Sequence, residues 1–143
     1  MGSEMCIRDS LRGDAGRDGL GGGDGNDRLF GGTGNDVIGG GAGNDRLFGN
    51  AGNDQIRGGQ GDDTMTGGAG GDTFQFVRGR SGDDVITDFD ETVDILSVNL
   101  RGAQAAIVDV QTVGADTVVS FGSASVTLED VDLAASEIVF QFI

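Results

Sequence analysis

The chain has 143 residues, and its 24 acidic and 9 basic side chains give a formal net charge of -15 at pH 7. Nucleic acids and anionic membranes repel such a chain, so we expect neither as a direct partner. The sequence also lacks histidine. This absence excludes zinc-protease, Ser-His-Asp and Cys-His chemistry, and we expect no enzymatic activity from these residues.

The N-terminal residues 1–12 differ in composition from the sequence that follows. Met1 to Ser10 reads MGSEMCIRDS, which matches neither the later sequence nor a targeting signal. We therefore interpret residues 1–12 as a non-native or disordered segment. No apolar run in the chain reaches the ~18 residues that a membrane span requires. The single cysteine, Cys6, has no partner for an internal disulfide.

Residues 13–75 consist of seven consecutive nine-residue blocks with the plan Gly-Gly-x-Gly-x-Asp-x-apolar-x. The best copies are GGDGNDRLF, GGTGNDVIG and GGAGNDRLF, which begin at Gly22, Gly31 and Gly40. The sixth position is always aspartate, and the eighth is always apolar: Leu20, Leu29, Ile38, Leu47, Ile56, Met65 and Phe74. Two columns that stay in phase over all the blocks indicate a structural repeat.

The residue types of one block predict a turn followed by a short strand. Glycine at the first, second and fourth positions permits positive φ. Positions seven to nine place one apolar side chain between two polar or variable ones, which is typical of a strand with one buried face. Because a three-residue strand cannot fold alone, successive blocks must stack. With turns alternating between two edges, two blocks form one coil.

Stacking brings aspartates of alternate blocks together, so that Asp27 lies near Asp45 and Asp36 lies near Asp54, about 4.8 Å apart along the stack. Carboxylates at this separation resist joint ionisation unless a cation lies between them. Oxygen donors without His, Cys or Lys favour Ca²⁺. Mg²⁺ fits less well, since it requires a tighter octahedron and retains its waters. The sequence therefore predicts Ca²⁺ as the cofactor.

These blocks resemble the RTX (repeats-in-toxin) nonapeptide array, a calcium-binding family that forms a parallel β-roll. The resemblance implies an all-β fold, a two-sheet right-handed β-helix, with each ion between the turns of blocks n and n+2. The implied carboxylate ligands are Asp18, Asp27, Asp36, Asp45, Asp54, Asp63 and Asp72. The implied carbonyl ligands are those of Gly23, Gly25, Gly32, Gly34, Gly41, Gly43, Gly52, Gly59 and Gly61.

A Gly/Asp-rich tract can also be a disordered linker, a phosphate-binding loop or an EF-hand, and each of these fits the blocks less well. Disorder is expected without calcium, because acidic repulsion and glycine entropy oppose packing. A phosphate-binding loop would need a following Gly-Lys-Ser/Thr, which is missing. An EF-hand would need a bidentate glutamate at its twelfth position, but counting from Asp24 that position is Asn35.

Residues 76–143 are predicted to form a β-rich C-terminal cap and secretion-signal region. Glycine becomes rarer and strand-like stretches appear. Ala103 to Val110 is predicted as a short helix or another strand. Ser81 to Phe89 resembles the segment that closes RTX β-rolls, and Val131 to Phe142 resembles the family's C-terminal secretion region. Asp83, Asp84 and Asp88, which follow the last repeat, are further candidate ligands for the last calcium site. The predicted strands are Thr73 to Val77, Val85 to Phe89, Asp94 to Val98, Thr117 to Phe121, Ala124 to Leu128 and Glu137 to Phe142.

Two phenylalanines are expected to stack on an outer sheet face. Phe30 and Phe48 both occupy the ninth position, in blocks that lie one coil apart, beside Arg28 and Arg46. They form either a docking patch or a pair of aromatic rings covered by arginine stems.

Two functional hypotheses follow. The first is a calcium-triggered folding and secretion module of a larger extracellular protein whose effector domain lies upstream and is absent here. The resemblance implies that such a protein is secreted by type I (ABC transporter) machinery through an uncleaved C-terminal signal. The alternative is an autonomous extracellular adhesion or spacer protein that calcium stiffens.

Overall fold

A computed structural model describes residues 10–77, 81–99, 108–121, 124–131 and 140–142, and every regular element in these ranges is a β-strand. The strands build a parallel solenoid of about 5 turns, which confirms the predicted all-β fold and parallel roll. The strands of the repeats are β1 (Ser10–Arg12), β2 (Gly19–Asp24), β3 (Arg28–Thr33), β4 (Val37–Ala42), β5 (Arg46–Ala51), β6 (Gln55–Gln60), β7 (Thr64–Ala69) and β8 (Thr73–Val77).

Successive strands alternate between two sheets, as the repeat predicts. The odd-numbered strands β1, β3, β5 and β7 are neighbours in one sheet, and the even-numbered strands β2, β4, β6 and β8 in the other. All of these pairings are parallel and join equivalent positions of blocks n and n+2. Leu29 pairs with Leu47, for example, and Ile38 with Ile56. One coil therefore contains two blocks.

The strands are longer than the three residues predicted. Most have six residues, from the seventh position of one block to the third position of the next, as β3 and β4 show. The glycine at the second position has positive φ and still pairs with its equivalent one coil away, as Gly23 does with Gly41. The glycines that mark the turn in the sequence therefore also lengthen the strands.

The core is a column of eighth-position side chains between the two sheets. Leu29, Leu47 and Met65 of the first sheet are 0% exposed, and Ile38 and Ile56 face them from the second. Burial of each such side chain contributes about 1.5 to 3 kcal/mol. The period-two pattern of each block thus stabilises the roll only through its neighbours, because no single block encloses a core.

The C-terminal part extends both sheets and then changes direction. Strands β9 (Asp83–Ile86) and β10 (Ile95–Asn99) add to the two sheets in parallel, and β14 (Phe140–Phe142) pairs with β10. Strand β13 (Ala124–Leu128) is parallel to β9, whereas β12 (Asp116–Phe121) and β11 (Val108–Val113) complete an antiparallel meander. The end of the roll is therefore covered by strands with a different pattern.

Two boundaries differ from those predicted. Ser10–Arg12 falls in the predicted N-terminal segment, but as β1 it pairs with β3 and is part of the roll. At the other end, parallel coiling continues past residue 75 into β9 and β10. Of the region from Ala103 to Val110, residues 108–110 form part of β11, and the remainder lies outside the described residues, as do residues 137–139 of the last predicted strand.

The outer face of the first sheet carries the expected aromatic stack. The rings of Phe30 and Phe48 are parallel within 7°, with centroids 4.9 Å apart. The guanidinium of Arg12 lies 5.1 Å from the centre of the Phe30 ring. Both rings are half-buried, so the stack is partly covered on the sheet rather than fully exposed.

Candidate metal centre

The sixth-position aspartates form two ladders, one along each edge of the roll. Oδ1 of Asp45 accepts a 2.8 Å hydrogen bond from the backbone N–H of Asp27, one coil away. Oδ1 of Asp54 accepts the equivalent bond of 2.7 Å from Asp36. The remaining repeat bonds of this kind join Asp18 to Asp36, Asp45 to Asp63, and Asp54 to Asp72. The predicted proximity of alternate aspartates is therefore present.

These carboxylates are removed from water. Asp36, Asp45, Asp54, Asp63 and Asp72 are each 1% exposed. Their Oδ2 atoms are buried and have no hydrogen-bond partner, and the same holds for Oδ2 of Asp18. A buried charged oxygen without a partner is costly. Each ladder therefore carries a row of oxygens that a cation would satisfy.

The first glycine of each block provides the space for this carboxylate. A Cβ at Gly31 would lie 2.5 Å from Oδ2 of Asp36 and 2.7 Å from the carbonyl oxygen of Gly49. The first-position glycines do not have positive φ, so the expectation that they serve a left-handed conformation was wrong. Their role is steric, since any side chain would overlap the aspartate of the same block.

The second and fourth glycines do have positive φ, and they also accommodate carbonyl oxygens of the preceding coil. A Cβ at Gly41 would overlap the carbonyl oxygen of Gly23, and a Cβ at Gly43 would overlap that of Gly25. The carbonyls of Gly34, Gly41, Gly43 and Gly52 face the next coil in the same way. Gly32 and Gly59, at the second position of their blocks, also have positive φ. The carbonyl of Gly61 accepts a hydrogen bond from the N–H of Gly82.

An additional set of hydrogen bonds between coils, the asparagine ladder formed by fifth-position side chains, was not predicted. Oδ1 of Asn26 accepts the backbone N–H of Asn44 at 2.9 Å, and Oδ1 of Asn35 accepts that of Asn53 at 2.9 Å. These hydrogen bonds lie on the exposed side of the turns. The repeated Gly-Asn-Asp triplet was the available sequence signal, because Asn at this position bridges coils on the outside of each aspartate ladder.

Burial raises the pKa of the aspartates near the end of the repeats. The pKa of Asp63 rises to about 7, mainly through burial and partly through the carboxylates of Asp84, Asp45 and Asp62, against a lowering hydrogen bond from the backbone of Asp45. The pKa of Asp72 rises to about 6 for the same kind of reason. Every neighbouring charge that contributes to these two shifts is another carboxylate, so the carboxylates on their own disfavour full ionisation of the site.

Both ladders continue into the C-terminal part, through Asp84, which was a candidate ligand, and through Asp94, which was not predicted as one. Asp84 accepts the N–H of Asp63 at 2.8 Å, and Asp94 accepts that of Asp72 at 2.8 Å. The oxygens of Asp88, another candidate ligand, accept hydrogen bonds from the N–H groups of Gly67 and Gly68, each 2.8 Å. Asp88 thus joins β7 to the following segment, and its role as a ligand stays a prediction.

The donor set suits a hard cation. Within the described residues, no three acidic side chains converge closely enough to enclose an ion on their own. A site in this roll would combine two carboxylates of neighbouring coils with backbone carbonyls. Ca²⁺ accepts such mixed oxygen sets with variable geometry, whereas Mg²⁺ needs a near-ideal octahedron.

A family model named RTX calcium-binding nonapeptide repeat (4 copies) matches residues 8–38, 21–56 and 39–74. Residues 8–74 therefore belong to the RTX calcium-binding repeats. The RTX repeats bind calcium, and Ca²⁺ is the cofactor. This assignment identifies the cation that the unpartnered aspartate oxygens require.

Solved structures contain similar RTX-type rolls. The AlgE6R3 subunit of the Azotobacter vinelandii mannuronan C5-epimerase is 28% identical with a TM-score of 0.55, and the match covers 88% of this chain and 78% of that one. The AlgE6R2 subunit of the same epimerase is 26% identical with a TM-score of 0.50, over 96% and 95% of the two chains. No curated protein sequence matches significantly. Across the described residues, no helix is long and apolar enough to cross a bilayer.

Proposed function

We propose that this RTX chain is the calcium-triggered folding and secretion module of a larger extracellular protein. The observation that supports this proposal is the row of buried, unpartnered Oδ2 atoms, for example those of Asp36 and Asp54 on one edge. At neutral pH the roll has to bury these charged Oδ2 atoms without a hydrogen bond. The folded state is therefore favourable only when calcium occupies the ladders.

Calcium concentration would then control folding. Extracellular calcium modules bind with Kd of about 10⁻⁴ to 10⁻³ M, so they are empty in the cytosol and occupied outside the cell. At a tenfold excess over Kd, each site contributes roughly 1.4 kcal/mol, and about five sites contribute ~7 kcal/mol. This sum is comparable to the whole stability of an ordinary domain.

This dependence fits export of an unfolded chain. RTX repeat proteins are typically secreted. An acidic, glycine-rich tract remains unfolded at low calcium and can pass through a narrow channel, and external calcium then folds it. We assign the channel to the type I (ABC transporter) machinery and the export signal to residues 76–143, following the resemblance of this region to RTX secretion regions.

The relatives of known structure support a module rather than a complete enzyme. Two of the similar structures, AlgE6R3 and AlgE6R2, are subunits of a mannuronan C5-epimerase. RTX repeats are generally non-catalytic. We therefore propose that this chain has no active site of its own, and that ligands at Asp27, Asp45 and the other ladder positions serve folding rather than catalysis.

Circular dichroism of the purified chain tests calcium-triggered folding. The far-UV signal should be weak in EDTA, should gain β character with millimolar Ca²⁺, and should change little with Mg²⁺. A spectrum independent of calcium would contradict the proposal.

Export is tested separately by fusing a reporter enzyme upstream of the chain in cells that carry a type I transporter. The reporter should reach the medium with the full chain and stay inside when residues 129–143 are deleted. Calcium-dependent folding without export would instead favour the extracellular adhesion or spacer hypothesis.

A further inference from the structure

Residues 81–87 form an additional block that the family match, which ends at residue 74, does not include. The segment reads SGDDVIT, and its Asp84 occupies the sixth position of a block. Val85 pairs with Thr64, and Ile86 pairs with Met65, which are seventh- and eighth-position residues of the repeats. The separation of Asp63 and Asp84 is 21 residues, three more than in the repeats, and this insertion hides the block in the sequence.

The turn of this block shares the close approach between coils of a repeat turn, although Gly82 does not have positive φ. The N–H of Gly82 donates a 3.1 Å hydrogen bond to the carbonyl of Gly61. A Cβ at Gly82 would overlap the same carbonyl oxygen. Gly82 therefore has the steric role of a fourth-position glycine, and the carbonyl of Gly61 faces the junction as those of earlier turns face the next coil.

Asp84 also has the unpartnered oxygen of a ladder aspartate. It is 1% exposed, and its Oδ2 is buried without a hydrogen-bond partner. The other ladder ends differently, because Oδ2 of Asp94 accepts a 2.9 Å hydrogen bond from the N–H of Asp90. Of the last ladder aspartates among the described residues, Asp84 is thus the one with an unpartnered oxygen.

This edge has more negative charge at the junction than between earlier coils. The fifth positions Asn26 and Asn44 are followed by Asp62, and then by Asp83, whose N–H donates to Oδ1 of Asp62 at 3.0 Å. The fifth and sixth positions of two neighbouring coils therefore carry four carboxylates at the junction, whereas those of earlier coils with asparagine at the fifth position carry two. The affinity of an oxygen site for Ca²⁺ rises with the charge of its ligands and surroundings.

We propose that Asp63 and Asp84 hold a calcium ion at the junction of the RTX repeats with the C-terminal meander, and that Asp62 and Asp83 make this site tighter than sites flanked by asparagine. The inference rests on the calcium-dependent folding proposed above. Such an ion fixes β9, and β9 pairs with β13. Oγ of Ser125 in β13 donates a 2.8 Å hydrogen bond to Oδ1 of Asp83, so calcium at this site couples the meander to the roll.

Isothermal titration calorimetry of the full chain with CaCl₂ tests the site. Asp84→Asn keeps the Oδ1 acceptor but removes the charge, and we expect one fewer bound ion than in the parent chain. Asp24→Asn, an exposed third-position change with the same loss of charge, should leave the stoichiometry unchanged. Hydrogen exchange should show that Asp84→Asn loses protection in β12 and β13 while β3 to β6 stay protected.

Asp83→Asn provides an independent measurement. It should keep the stoichiometry but weaken the tightest site about tenfold, since a unit charge about 6 Å from a divalent ion in a water-like dielectric changes affinity by that factor. If Asp84→Asn binds as many calcium ions as the parent chain, the proposed junction site is wrong, while the proposal of calcium-dependent folding is unaffected. If Asp84→Asn does not fold at any calcium concentration, an unchanged tightest Kd in Asp83→Asn overturns the proposal, and a weakened one supports it. A parent chain that binds no calcium would overturn both proposals.

Discussion

The backbone N–H of Asp27 donates a 2.8 Å hydrogen bond to the carboxylate of Asp45, one coil away. The carbonyl of Asp27 accepts a 2.9 Å bond from the N–H of Arg46. Backbone and side-chain atoms of the ladder aspartates therefore join neighbouring coils together. In Asp45 one carboxylate oxygen accepts this backbone hydrogen bond, and the buried Oδ2 has no hydrogen-bond partner and is available to a cation.

The first prediction concerns Asp45, which contacts the coil on either side. Its Oδ1 accepts from Asp27, and its own N–H donates to Asp63 at 2.8 Å. We expect Asp45→Ala to remove more than one calcium ion in calorimetry and to raise the calcium midpoint of folding. Asp45→Asn retains the acceptor and separates the effect of the hydrogen bond from that of the charge. Loss of a single binding event in Asp45→Ala would contradict the shared-ligand geometry.

The second prediction is that the calcium-free chain is more stable at acidic than at neutral pH. Burial raises the pKa of Asp63 to about 7 and that of Asp84 to about 6, from 3.8. In their protonated form these two carboxyl groups stabilise the folded state. This stabilisation is therefore complete below about pH 4 and is lost as the pH rises through about 6 to 7. Far-UV spectra and urea unfolding in calcium-free buffer should show more β structure at pH 5 than at pH 8.

Calcium reverses this dependence, because protons and calcium compete for the same carboxylates. In millimolar calcium we expect the midpoint of the calcium titration to rise as the pH falls from 7 to 5. A calcium-free chain that unfolds as the pH falls would contradict the burial of ionisable ladder oxygens.

The sequence was sufficient for the repeat unit and its stacking, because the aspartate and apolar columns have one period. Asp27 and Asp45, or Leu29 and Leu47, can be placed one coil apart from spacing alone. The length of the strands could not be predicted in this way, since Gly31 and Gly32 look like turn residues but continue β3. The pairing of backbone across stacked coils, rather than local propensity, decides their conformation.

The C-terminal end of the ladders was harder to predict. Asp84 and Asp94 follow their ladder partners by 21 and 22 residues. These irregular intervals break the period that identified the ligands of the repeats, so the sequence indicated Asp84 only as one of three candidates for the last site and did not indicate Asp94. The asparagine ladder was missed for another reason, because Arg17, Asp62 and Gly71 make the fifth position look variable.

The third prediction separates the steric role of first-position glycines from backbone flexibility. Gly31→Ala places a Cβ 2.5 Å from Oδ2 of Asp36, and we expect it to reduce the free energy of unfolding by about 1 to 3 kcal/mol, the usual cost of overpacking. In Gly39→Ala the nearest atom, the carbonyl oxygen of Leu20, is 3.9 Å away. This control should be neutral or stabilising by up to about 1 kcal/mol. Urea unfolding in saturating calcium measures the free energy of unfolding of both variants. Equal losses in Gly31→Ala and Gly39→Ala would contradict a steric role of the first-position glycine.

The last prediction concerns the asparagine ladder. Oδ1 of Asn44 accepts the N–H of Asp62 at 3.1 Å on the exposed edge. Asn44→Ala removes this acceptor, and we expect it to cost about 0.5 to 1.5 kcal/mol of unfolding free energy in saturating calcium. Asn44→Asp keeps the acceptor and adds a charge beside Asp45, so it should lower the calcium midpoint of folding instead. Gln60→Ala, an exposed change at a third position, controls for loss of a polar side chain. If both Asn44 variants behave like Gln60→Ala, the fifth-position asparagines contribute nothing to the cohesion of the coils.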